Sequence, residues 1–501
     1  MDSADAPRTS RLARGAITGV AAARIGAARL GQRLRTPSPQ AQAEHEAAVG
    51  RILFGALGQL RGTALKVSQL LSMHPTLLPE GVRRELARAQ HQALPLNRAL
   101  VGRVFRQAFG QEPEALFAHF EPSAFAAASL GQVHRAQLPG HGLGACRTWG
   151  VESENWPQRG QFLPDLQPHS GAMGQKDGEK WIAAANLQPT IPKSDRLLVA
   201  VKVQYPGIAA TIASDMQMAR AALRALAHTD LPLPTDSVMD SVMNEIEATL
   251  LREVDYLQEA EQLQWFAEHA ALPGVAMARP LLSHTRAQVL TQQYLPGLHL
   301  DAWLATEPTQ ALRDRAGQHL WDWFMHCIFV LGRVHADPHP GNFLFAADGT
   351  VGVLDFGCTR ELSEGFRTQM ARAWSALLRP AADPQRDALV LQAYQALGLA
   401  GPDLALATYS AELAPALADM QAWQLEPFTQ PVFDFRTKQP PPITPPEHQR
   451  VLGRHLAQVP GEMPAFDRMW MGLMHLLTRL GARVHTRAVG IPGTSVERTL
   501  P

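Results

Sequence analysis

Two short motifs in the second half of the chain constrain its fold more than any other feature. The first, HADPHPGN, occupies residues 335–342, and the second, LDFG, occupies residues 354–357. Together they bring Asp337, Asn342 and Asp355 into one short stretch of sequence. Carboxylate and amide oxygens are hard ligands that suit Mg²⁺ better than zinc. We therefore predict that Asn342 and Asp355 bind magnesium and that Asp337 lies beside them.

Composition excludes several classes of protein. The chain has 501 residues, 46% of them apolar, which is typical of a globular protein with two or three cooperating units. Its 46 basic residues balance 46 acidic residues, so nothing favours nucleic-acid binding. The three cysteines form no CxxC motif, which excludes a zinc ribbon or a disulfide scaffold and indicates a reducing compartment. No long apolar run is present, so we expect a cytoplasmic protein without a transmembrane helix.

Lysine is rare, although arginine is common. Only six of the 46 basic residues are Lys, and three of these lie between positions 176 and 193. The other three are Lys66, Lys202 and Lys438. Because arginine does not replace lysine where a compact point charge is needed, we predict functional roles for Lys66 and Lys202, with chance retention as the alternative. We expect the replacement of Lys438 by alanine to have no effect.

Composition and periodicity divide the chain into five parts. We predict a basic leader over residues 1–43, a helical extension over 44–110, an N-terminal lobe over 111–298, a helical C-terminal lobe over 299–484, and a tail over 485–501. The leader contains seven Arg and no acidic residue over residues 6–43. It either lies on an anionic membrane surface as a helix or is solvated. Residues 139–195 show no period of 2 or 3.6, and we interpret them as an insertion loop.

The elements around the two motifs follow from the spacing of apolar residues. Intervals of three and four residues indicate helices, and short β-branched or alternating runs indicate strands. We predict strands over residues 116–138, 197–206, 277–282 and 288–295, one long helix over 236–270, a loop over 438–448 and a closing helix over 463–484. The loop is predicted because its prolines lack a backbone donor.

The order of these elements resembles that of a protein kinase. It implies an α+β, bilobal protein-kinase-like fold with an N-terminal helical extension and a long insertion in the N-terminal lobe. Lys202 on its strand would hold nucleotide phosphates, and Asp337, with Asn342, would orient the attacking hydroxyl or water or accept its proton. His335 is expected to support the loop through hydrogen bonds, and His339 to be a polar residue between two prolines.

The loop AFAAASLGQVHRA is similar to the nucleotide loop of the UbiB family, the atypical kinases of AarF or ADCK type linked to ubiquinone biosynthesis. Ala126, Ala128 and Gly131 stand where a protein kinase has three glycines, and Val133 stands at the following valine. The resemblance places these residues and Ser129 against the nucleotide. Alanine is stiffer than glycine by about 0.5–1 kcal/mol per site, so this loop should fold less readily over phosphates.

A second segment, LLREVDYLQEAE, carries the same resemblance. It is similar to the ExD motif of the family through Glu253 and Asp255. The resemblance then implies that Glu259 is the ion-pair partner of Lys202.

A third segment, LRGTALKVSQLLS, resembles the KxGQ helix of the family, which precedes the kinase core and enters the active site. Lys66 and Gln69 match the motif, whereas Ser68 replaces its glycine. The resemblance implies that Lys66 pairs with the acids of the ExD motif and that the helix covers the groove where a protein substrate would lie. Glycine permits close approach at this position and Ser68 adds a side chain there, so the sequence leaves the pose of the helix open.

The resemblance covers about residues 45–480 without the insertion. It implies that ATP or ADP and Mg²⁺ are bound and that the adenine meets backbone groups at Tyr294 and Leu295. The implied activity is ATP hydrolysis, or phosphoryl transfer to a small or lipid-like acceptor, in support of quinone biosynthesis. Expected partners are an adenine nucleotide, a lipid membrane surface and quinone-biosynthesis proteins.

Two other functions stay open. A small-molecule kinase of the aminoglycoside-phosphotransferase type uses a nearly identical catalytic loop but lacks the Lys66 element. A nucleotide-binding scaffold without turnover would commonly have lost at least one of the catalytic residues.

Overall fold

A computed structural model describes residues 39–57, 63, 66–68, 71, 78–88, 96–128, 130–138, 197–226 and 236–486. Within these ranges a lobe built on a five-stranded sheet precedes a mainly helical lobe, so the described chain has the predicted α+β, bilobal architecture. The first 38 residues, the whole predicted insertion and all but the first two residues of the tail lie outside the described residues.

We call the segment that joins the two lobes, beginning at Tyr294, the hinge. The part of the chain before it contains seven helices and six strands that the structure describes. They are α1 (Pro39–Leu57), α2 (Glu80–Arg88), α3 (Arg98–Phe109), α4 (Pro113–Leu116), β1 (His119–Phe120), β2 (Ala126–Ala128), β3 (Gly131–Gln137), β4 (Leu198–Gln204), α5 (Ile208–Leu226), α6 (Asp236–Glu253), α7 (Tyr256–His269), β5 (Val275–Met277) and β6 (Val289–Gln293). α1 begins inside the segment predicted as the leader.

The C-terminal lobe carries the two motifs between its strands. Its elements are α8 (Leu300–Leu304), α9 (Gln310–His326), β7 (Arg333–His335), β8 (Phe343–Phe345), β9 (Val351–Val353), β10 (Thr359–Glu361), α10 (Glu364–Leu377), α11 (Arg386–Leu397), α12 (Leu406–Thr408), α13 (Ala414–Leu425), β11 (Val432–Asp434), α14 (Pro446–His455), α15 (Met463–Leu480) and β12 (Arg483–His485). None of the helices in the described ranges combines the length and the apolar character needed to cross a bilayer.

The sheet of the N-terminal lobe places Lys202 on a central strand. Its order is β1-β3-β4-β6, and β2 pairs with β3 as a further antiparallel neighbour. Lys202 lies opposite Val133 on β3 and opposite Leu290 on β6. At the other end of the β3–β4 pair, the Leu138 N–H donates to the Leu197 carbonyl at 3.0 Å. The chain therefore leaves and re-enters the sheet at adjacent positions on either side of the predicted insertion.

The helical extension packs against the N-terminal lobe through its own core. Val49 and Leu53 on α1, like Val82 and Leu86 on α2, are four residues apart and share a buried face. Val67 belongs to the same core, which α5 and α6 complete. The helical residues 66–68 are thereby packed onto the N-terminal lobe.

Strand pairing in the C-terminal lobe joins the two motifs. β7 and β10 pair antiparallel, with His335 opposite Thr359. The Ala336 N–H donates to the Cys358 carbonyl at 2.8 Å. The Leu354 N–H, further along, donates to a carbonyl of the first motif at 2.8 Å. The HADPHPGN loop and the LDFG turn are therefore one hydrogen-bonded unit.

The single helix predicted over residues 236–270 is two helices, so this prediction is wrong. α6 ends at Glu253, and α7 begins at Tyr256 with Asp255 as its N-cap. The carboxylate of Asp255 accepts a hydrogen bond from the Gln258 N–H at 3.0 Å. Because an aspartate caps a helix as readily as it lies on a solvated helix face, and apolar spacing continues across the break, the pattern did not reveal it.

Several predicted boundaries also move. The stretch predicted as a strand over 116–138 contains the end of α4 and three strands, β1 to β3. The strand predicted over 277–282 lies at Val275–Met277, where it pairs parallel with β9. The structure therefore keeps these strands but divides or shifts them.

Two boundaries near the C-terminus change for reasons of backbone chemistry. The loop predicted over 438–448 ends where α14 begins at Pro446, because proline is tolerated in the first turn of a helix. The helix predicted over 463–484 ends at Leu480, since Gly481 adopts a φ of +60° and the next residues form β12.

Candidate active site

Lys202 lies between two carboxylates that come from different lobes. Its Nζ is 2.9 Å and 3.0 Å from the two carboxylate oxygens of Glu259 on α7, and 3.0 Å from Asp355 Oδ2. Glu259 is held one turn into α7, whose start is fixed by the Asp255 cap. We call Lys202, Glu259 and Asp355 the Lys202 cluster. It contains the ion pair that the sequence implied and adds the aspartate of the LDFG turn.

The pKa values of the two carboxylates in this cluster are shifted in opposite directions. Burial raises the pKa of Glu259 and the negative charge of Asp355 raises it further, to about 7, although Lys202 opposes both. Burial also disfavours the charge of Asp355, but Lys202 and Lys66 outweigh it and lower the pKa of that carboxyl to about 2. Asp355 is therefore the permanently ionised member, as a cation ligand must be.

Tyr256 belongs to the site and was missed by the sequence analysis. Its ring centroid lies 5.3 Å from Lys202 Nζ, and its hydroxyl is buried with no hydrogen-bond partner among the described residues. It stands three residues before Glu259, which puts both on one face of α7. This three-residue spacing is the sequence feature from which Tyr256 could have been predicted to lie in the site.

The LDFG aspartate adopts an unusual backbone conformation. Asp355 has a φ of +55°, in the left-handed region, and its Oδ1 accepts a hydrogen bond from the Gly357 N–H at 3.2 Å. His335 Nε2 lies 2.8 Å from the Asp355 carbonyl oxygen, to which it donates. His335 thus supports the turn, in the role expected from sequence.

The catalytic loop orders Asp337 and Asn342 against each other. Asn342 Nδ2 donates to the Asp337 carbonyl at 2.9 Å and to Asp337 Oδ2 at 3.2 Å. Since the amide nitrogen is used in this way, the amide oxygen is the atom that a cation would meet. His339, expected to be a polar residue without a role, instead accepts a hydrogen bond from the Gly341 N–H at 3.1 Å and shapes the turn before Asn342.

The arrangement fits a magnesium ion held jointly by protein and nucleotide. Within the described residues, no group of three or more His, Cys, Asp or Glu side chains would hold a metal unaided. The predicted ligands are one carboxylate, Asp355, and one amide, Asn342. Mg²⁺ is ordinarily bound through one or two carboxylates together with substrate phosphates, so this pair suits it.

Lys66 enters the same site from the helical extension. Its Nζ lies 2.6 Å from Glu253 Oε1 and 3.7 Å from Asp337 Oδ2. We call Lys66, Glu253 and Asp337 the Lys66 cluster. Burial disfavours the charge of Lys66, but the carboxylates of Glu253 and Asp337 outweigh burial and raise its pKa. A charged lysine therefore forms an ion pair, at 3.7 Å, with the carboxylate expected to meet the phosphoryl acceptor.

The remaining residues of the KxGQ-like and ExD-like motifs have different positions. Asp255 is exposed and caps α7, so Glu253 is the member of the ExD pair that meets Lys66. Ser68 is fully buried, and its Oγ has no partner in the described part of the chain. With Ser68 in place of glycine, Lys66 still reaches the site. Gln69 lies outside the described residues.

The predicted nucleotide loop is the turn between β2 and β3. Ala128 pairs with Gly131 and Ala126 with Val133, while Ser129 lies outside the described residues. A side chain at Gly131 would collide with the Val203 carbonyl and reach within 2.9 Å of the Tyr256 hydroxyl. Glycine is therefore required at this position because β4 and α7 pack closely against the loop.

The predicted hinge residues follow β6. The Tyr294 N–H donates to the Leu198 carbonyl at 3.2 Å, and its ring packs on Phe125. Leu295 packs against the core of the C-terminal lobe. The amide of Tyr294 is thus already used within the sheet, which leaves Leu295 as the hinge residue to be tested for adenine binding.

Lys438 lies away from both clusters but is not a neutral control. Its ammonium group is buried, donates to the Trp423 carbonyl, lies 2.8 Å from Glu426 Oε2 and faces the Trp423 ring. The expectation that Lys438→Ala has no effect treated it as a surface residue. Its burial makes a loss of stability the expected result.

Comparison with known proteins assigns the described fold to a family. The model of the ABC1 atypical kinase-like domain matches residues 88–143 and 191–385, about half of the chain. The unmatched residues 144–190 fall inside the predicted insertion. The matched segments contain both members of the Lys202–Glu259 pair and both motifs of the C-terminal lobe.

Individual relatives show the same likeness at low identity. The Arabidopsis thaliana protein ACTIVITY OF BC1 COMPLEX KINASE 8, chloroplastic, is 26% identical over 351 residues, which cover 69% of this chain and 38% of that protein. AarF domain-containing protein kinase 1 of Mus musculus is 27% identical over 336 residues, covering 66% of this chain and 52% of the relative. The chain thus spans only part of the length of these relatives.

One solved structure is similar over nearly the whole chain. It is the complex of Rv3197 with erythromycin from Mycobacterium tuberculosis, with a TM-score of 0.53, 23% identity, and coverage of 90% of this chain and 96% of that one. At this identity the likeness concerns the fold.

Proposed function

Because the chain belongs to the ABC1 family of atypical kinases, also called the UbiB family, we propose that it binds Mg²⁺ with ATP or ADP and hydrolyses ATP or transfers its phosphate to a small or lipid-like acceptor. The observation that carries the proposal is the Lys202 cluster. One ammonium lies within 3.0 Å of a helix carboxylate and of the LDFG aspartate, the arrangement that phosphoryl transfer requires of a lysine.

Each residue of the cluster has a proposed task. Lys202 would bind the α- and β-phosphates while Glu259 fixes its position. Asp355 and the Asn342 amide oxygen would hold the magnesium ion, which neutralises the charge that develops on the phosphates. The turn carrying Gly131, Ala126 and Ala128 would lie over the nucleotide, and Leu295 would meet the adenine.

Asp337 would orient the attacking hydroxyl or water. Burial disfavours its charge, but Lys66 opposes burial and His335 adds to that effect, so the pKa of Asp337 is lowered. A carboxylate that stays ionised is suited to orienting a nucleophile and is a weak proton acceptor. Lys66 lies 3.7 Å from this carboxylate, so the acceptor would have to displace it or approach from the opposite side.

The position of Lys66 bears on the class of acceptor. Lys66 lies against Asp337, which favours water or a small or lipid-like acceptor over a folded protein. It also argues against a soluble-alcohol kinase of the aminoglycoside type, in which such an element is absent. A role in quinone biosynthesis, with a membrane surface or biosynthetic proteins as partners, is proposed from family membership alone.

The test compares wild type with Asp355→Asn. We expect MgATP to stabilise wild type by about 2.7 kcal/mol at a nucleotide concentration of 100 Kd and to have almost no effect on the variant. Thermal unfolding with ATP, with and without Mg²⁺, gives this readout, and phosphate release with and without lipid vesicles or quinone precursors tests turnover.

Asp403→Asn is the matched control, since Asp403 is exposed on a turn of the C-terminal lobe. Undiminished stabilisation of Asp355→Asn by MgATP would remove the metal assignment. Binding without turnover in wild type under all conditions would favour the scaffold function instead.

A further inference from the structure

A cleft of about 200 Å³ opens beside the catalytic loop, outside the two lysine clusters. Part of its wall is Ala336, which precedes Asp337, and Cys358, which follows the LDFG turn. The hydrogen bond between the Ala336 N–H and the Cys358 carbonyl fixes this wall to both motifs. A ligand in the cleft would therefore lie next to the candidate catalytic carboxylate.

Three arginines reach the cleft from three separate elements. Arg252 comes from the last turn of α6, Arg360 from β10 and Arg468 from α15. Glu245 is the one carboxylate in the lining, and it forms an ion pair with Arg468. Three guanidinium groups and one carboxylate leave two positive charges in excess.

The other two guanidinium groups have few partners. Arg252 Nη2 donates to Thr249 Oγ1 at 2.9 Å, but its Nε is buried and has no hydrogen-bond partner in the described ranges. Arg360 forms no side-chain hydrogen bond or ion pair with any residue that the structure describes. Burial lowers the pKa of Arg252, and the like charges of Arg360 and Arg468 lower it further. Partly buried cations of one sign repel one another, and an anion between them would compensate their charge.

We propose that this cleft binds an oxyanion of the phosphate class, held by Arg252 and Arg360 with support from Arg468. The planar fork of a guanidinium matches two oxygens of a phosphate, and such charge-assisted hydrogen bonds are among the strongest in proteins. The small volume limits the ligand to a phosphate group on a small molecule or on a lipid head group. The proposal requires neither Lys202 nor Asp355, so it does not depend on the proposed nucleotide turnover.

The experiment titrates inorganic phosphate into the full chain without nucleotide, against chloride at equal ionic strength, and follows the melting temperature and the heat of binding. We expect phosphate to stabilise wild type more than chloride does. Arg252→Gln and Arg360→Gln should each weaken phosphate binding about tenfold or more, since each removes hydrogen bonds to a charged group. Arg360→Lys should lie between wild type and Arg360→Gln.

Two control variants locate the bound phosphate. Arg450→Gln removes the same charge from an exposed position on α14 and should bind phosphate as wild type does. Lys202→Ala should also retain phosphate binding. If wild type responds equally to phosphate and chloride, or if Lys202→Ala loses the response while Arg252→Gln and Arg360→Gln keep it, the cleft is not the site.

A second set of ligands identifies the source of the phosphate. Glycerol phosphate represents a soluble ligand, and vesicles of phosphatidic acid, compared with phosphatidylcholine, represent a lipid head group. Binding of either that is weakened by Arg252→Gln supports the site and names its ligand class. Binding of either that Arg252→Gln and Arg360→Gln leave unchanged contradicts it.

Discussion

The two lysine clusters use the same chemistry but differ in their access to solvent. Each joins one ammonium group to two carboxylates, one from a helix and one from a motif of the C-terminal lobe. In the Lys202 cluster the lysine side chain is 16% exposed and Asp355 is 27% exposed. In the Lys66 cluster the lysine is 4% exposed and Asp337 is 13% exposed. A nucleotide can therefore approach the first cluster, whereas the second is closed.

This difference separates a binding role from a controlling one. Lys202 can exchange part of its contact with Asp355 for a phosphate without moving the chain. Lys66 belongs to a segment fixed in the core of α1, α2, α5 and α6 through Val67, so releasing Asp337 requires that segment to shift. We infer that the extension controls when Asp337 is free.

The largest expected effect comes from breaking the Lys66 cluster. Lys66→Met should lower the free energy of unfolding by about 3–5 kcal/mol, because Glu253 is then left buried without its partner. Denaturant unfolding at pH 7 measures this change. The same variant should alter ATP turnover, either by freeing Asp337 or by removing a cation near the phosphates.

A matched pair of variants sharpens this prediction. In the double variant Lys66→Met, Glu253→Gln the uncompensated charge is gone, so part of the lost stability should return. If Lys66→Met unfolds at the same denaturant concentration as wild type and hydrolyses ATP at the same rate, Lys66 does not distinguish this chain from other kinases.

The Lys202 cluster should make the free energy of unfolding depend on pH. The pKa of Glu259 rises from its usual 4.5 to about 7 in the folded protein, so between these values the folded state holds a proton that the unfolded state has lost. The contribution of Glu259 to stability is therefore present below pH 4.5 and is lost as the pH rises through 7. We expect the loss to be on the order of 3 kcal/mol.

Glu259→Gln should remove this part of the pH dependence. Unfolding free energies of wild type and variant, measured from pH 5 to 8, give the comparison. Parallel curves would show that Glu259 does not titrate in this range.

The smallest effect is expected outside both clusters. Deleting residues 140–194 leaves only three residues, Pro139, Asp195 and Arg196, between Leu138 and Leu197, whose backbones are already hydrogen-bonded. A three-residue loop is an ordinary length for a hairpin, and closure entropy changes slowly with loop length, by about 0.6 kcal/mol per doubling. Because the shorter loop costs less closure entropy, the melting temperature should not fall below that of wild type, and the stabilisation by MgATP should be unchanged. An insoluble product would show that the segment is structural.

The Lys202 cluster was easier to predict from the sequence than the Lys66 cluster. The order of the strand and the LDFG turn was enough to place Lys202 and Asp355 in one site, and the family resemblance supplied Glu259. For Lys66, the choice between Glu253 and Asp255 depended on a helix break at Asp255. Local spacing does not reveal such a break, since a capping aspartate and a pairing aspartate look alike.

Long-range packing hid other features altogether. Lys438 reads as a surface lysine in a proline-rich stretch, yet the fold buries it against Trp423. More than 100 residues of sequence separate Arg252 from Arg360, and more than 100 separate Arg360 from Arg468. Only the tertiary structure brings them to one cleft.

The positive φ of Asp355 determines which substitutions there can be interpreted. Aspartate and asparagine tolerate the left-handed region through local hydrogen bonds, whereas a residue such as alanine is penalised there by roughly 1 kcal/mol or more. An alanine variant would therefore combine a missing carboxylate with a strained turn, and a loss of activity in it would have two causes. Asparagine changes the charge and leaves the backbone preference almost intact, so it is the replacement from which a metal-binding role can be inferred.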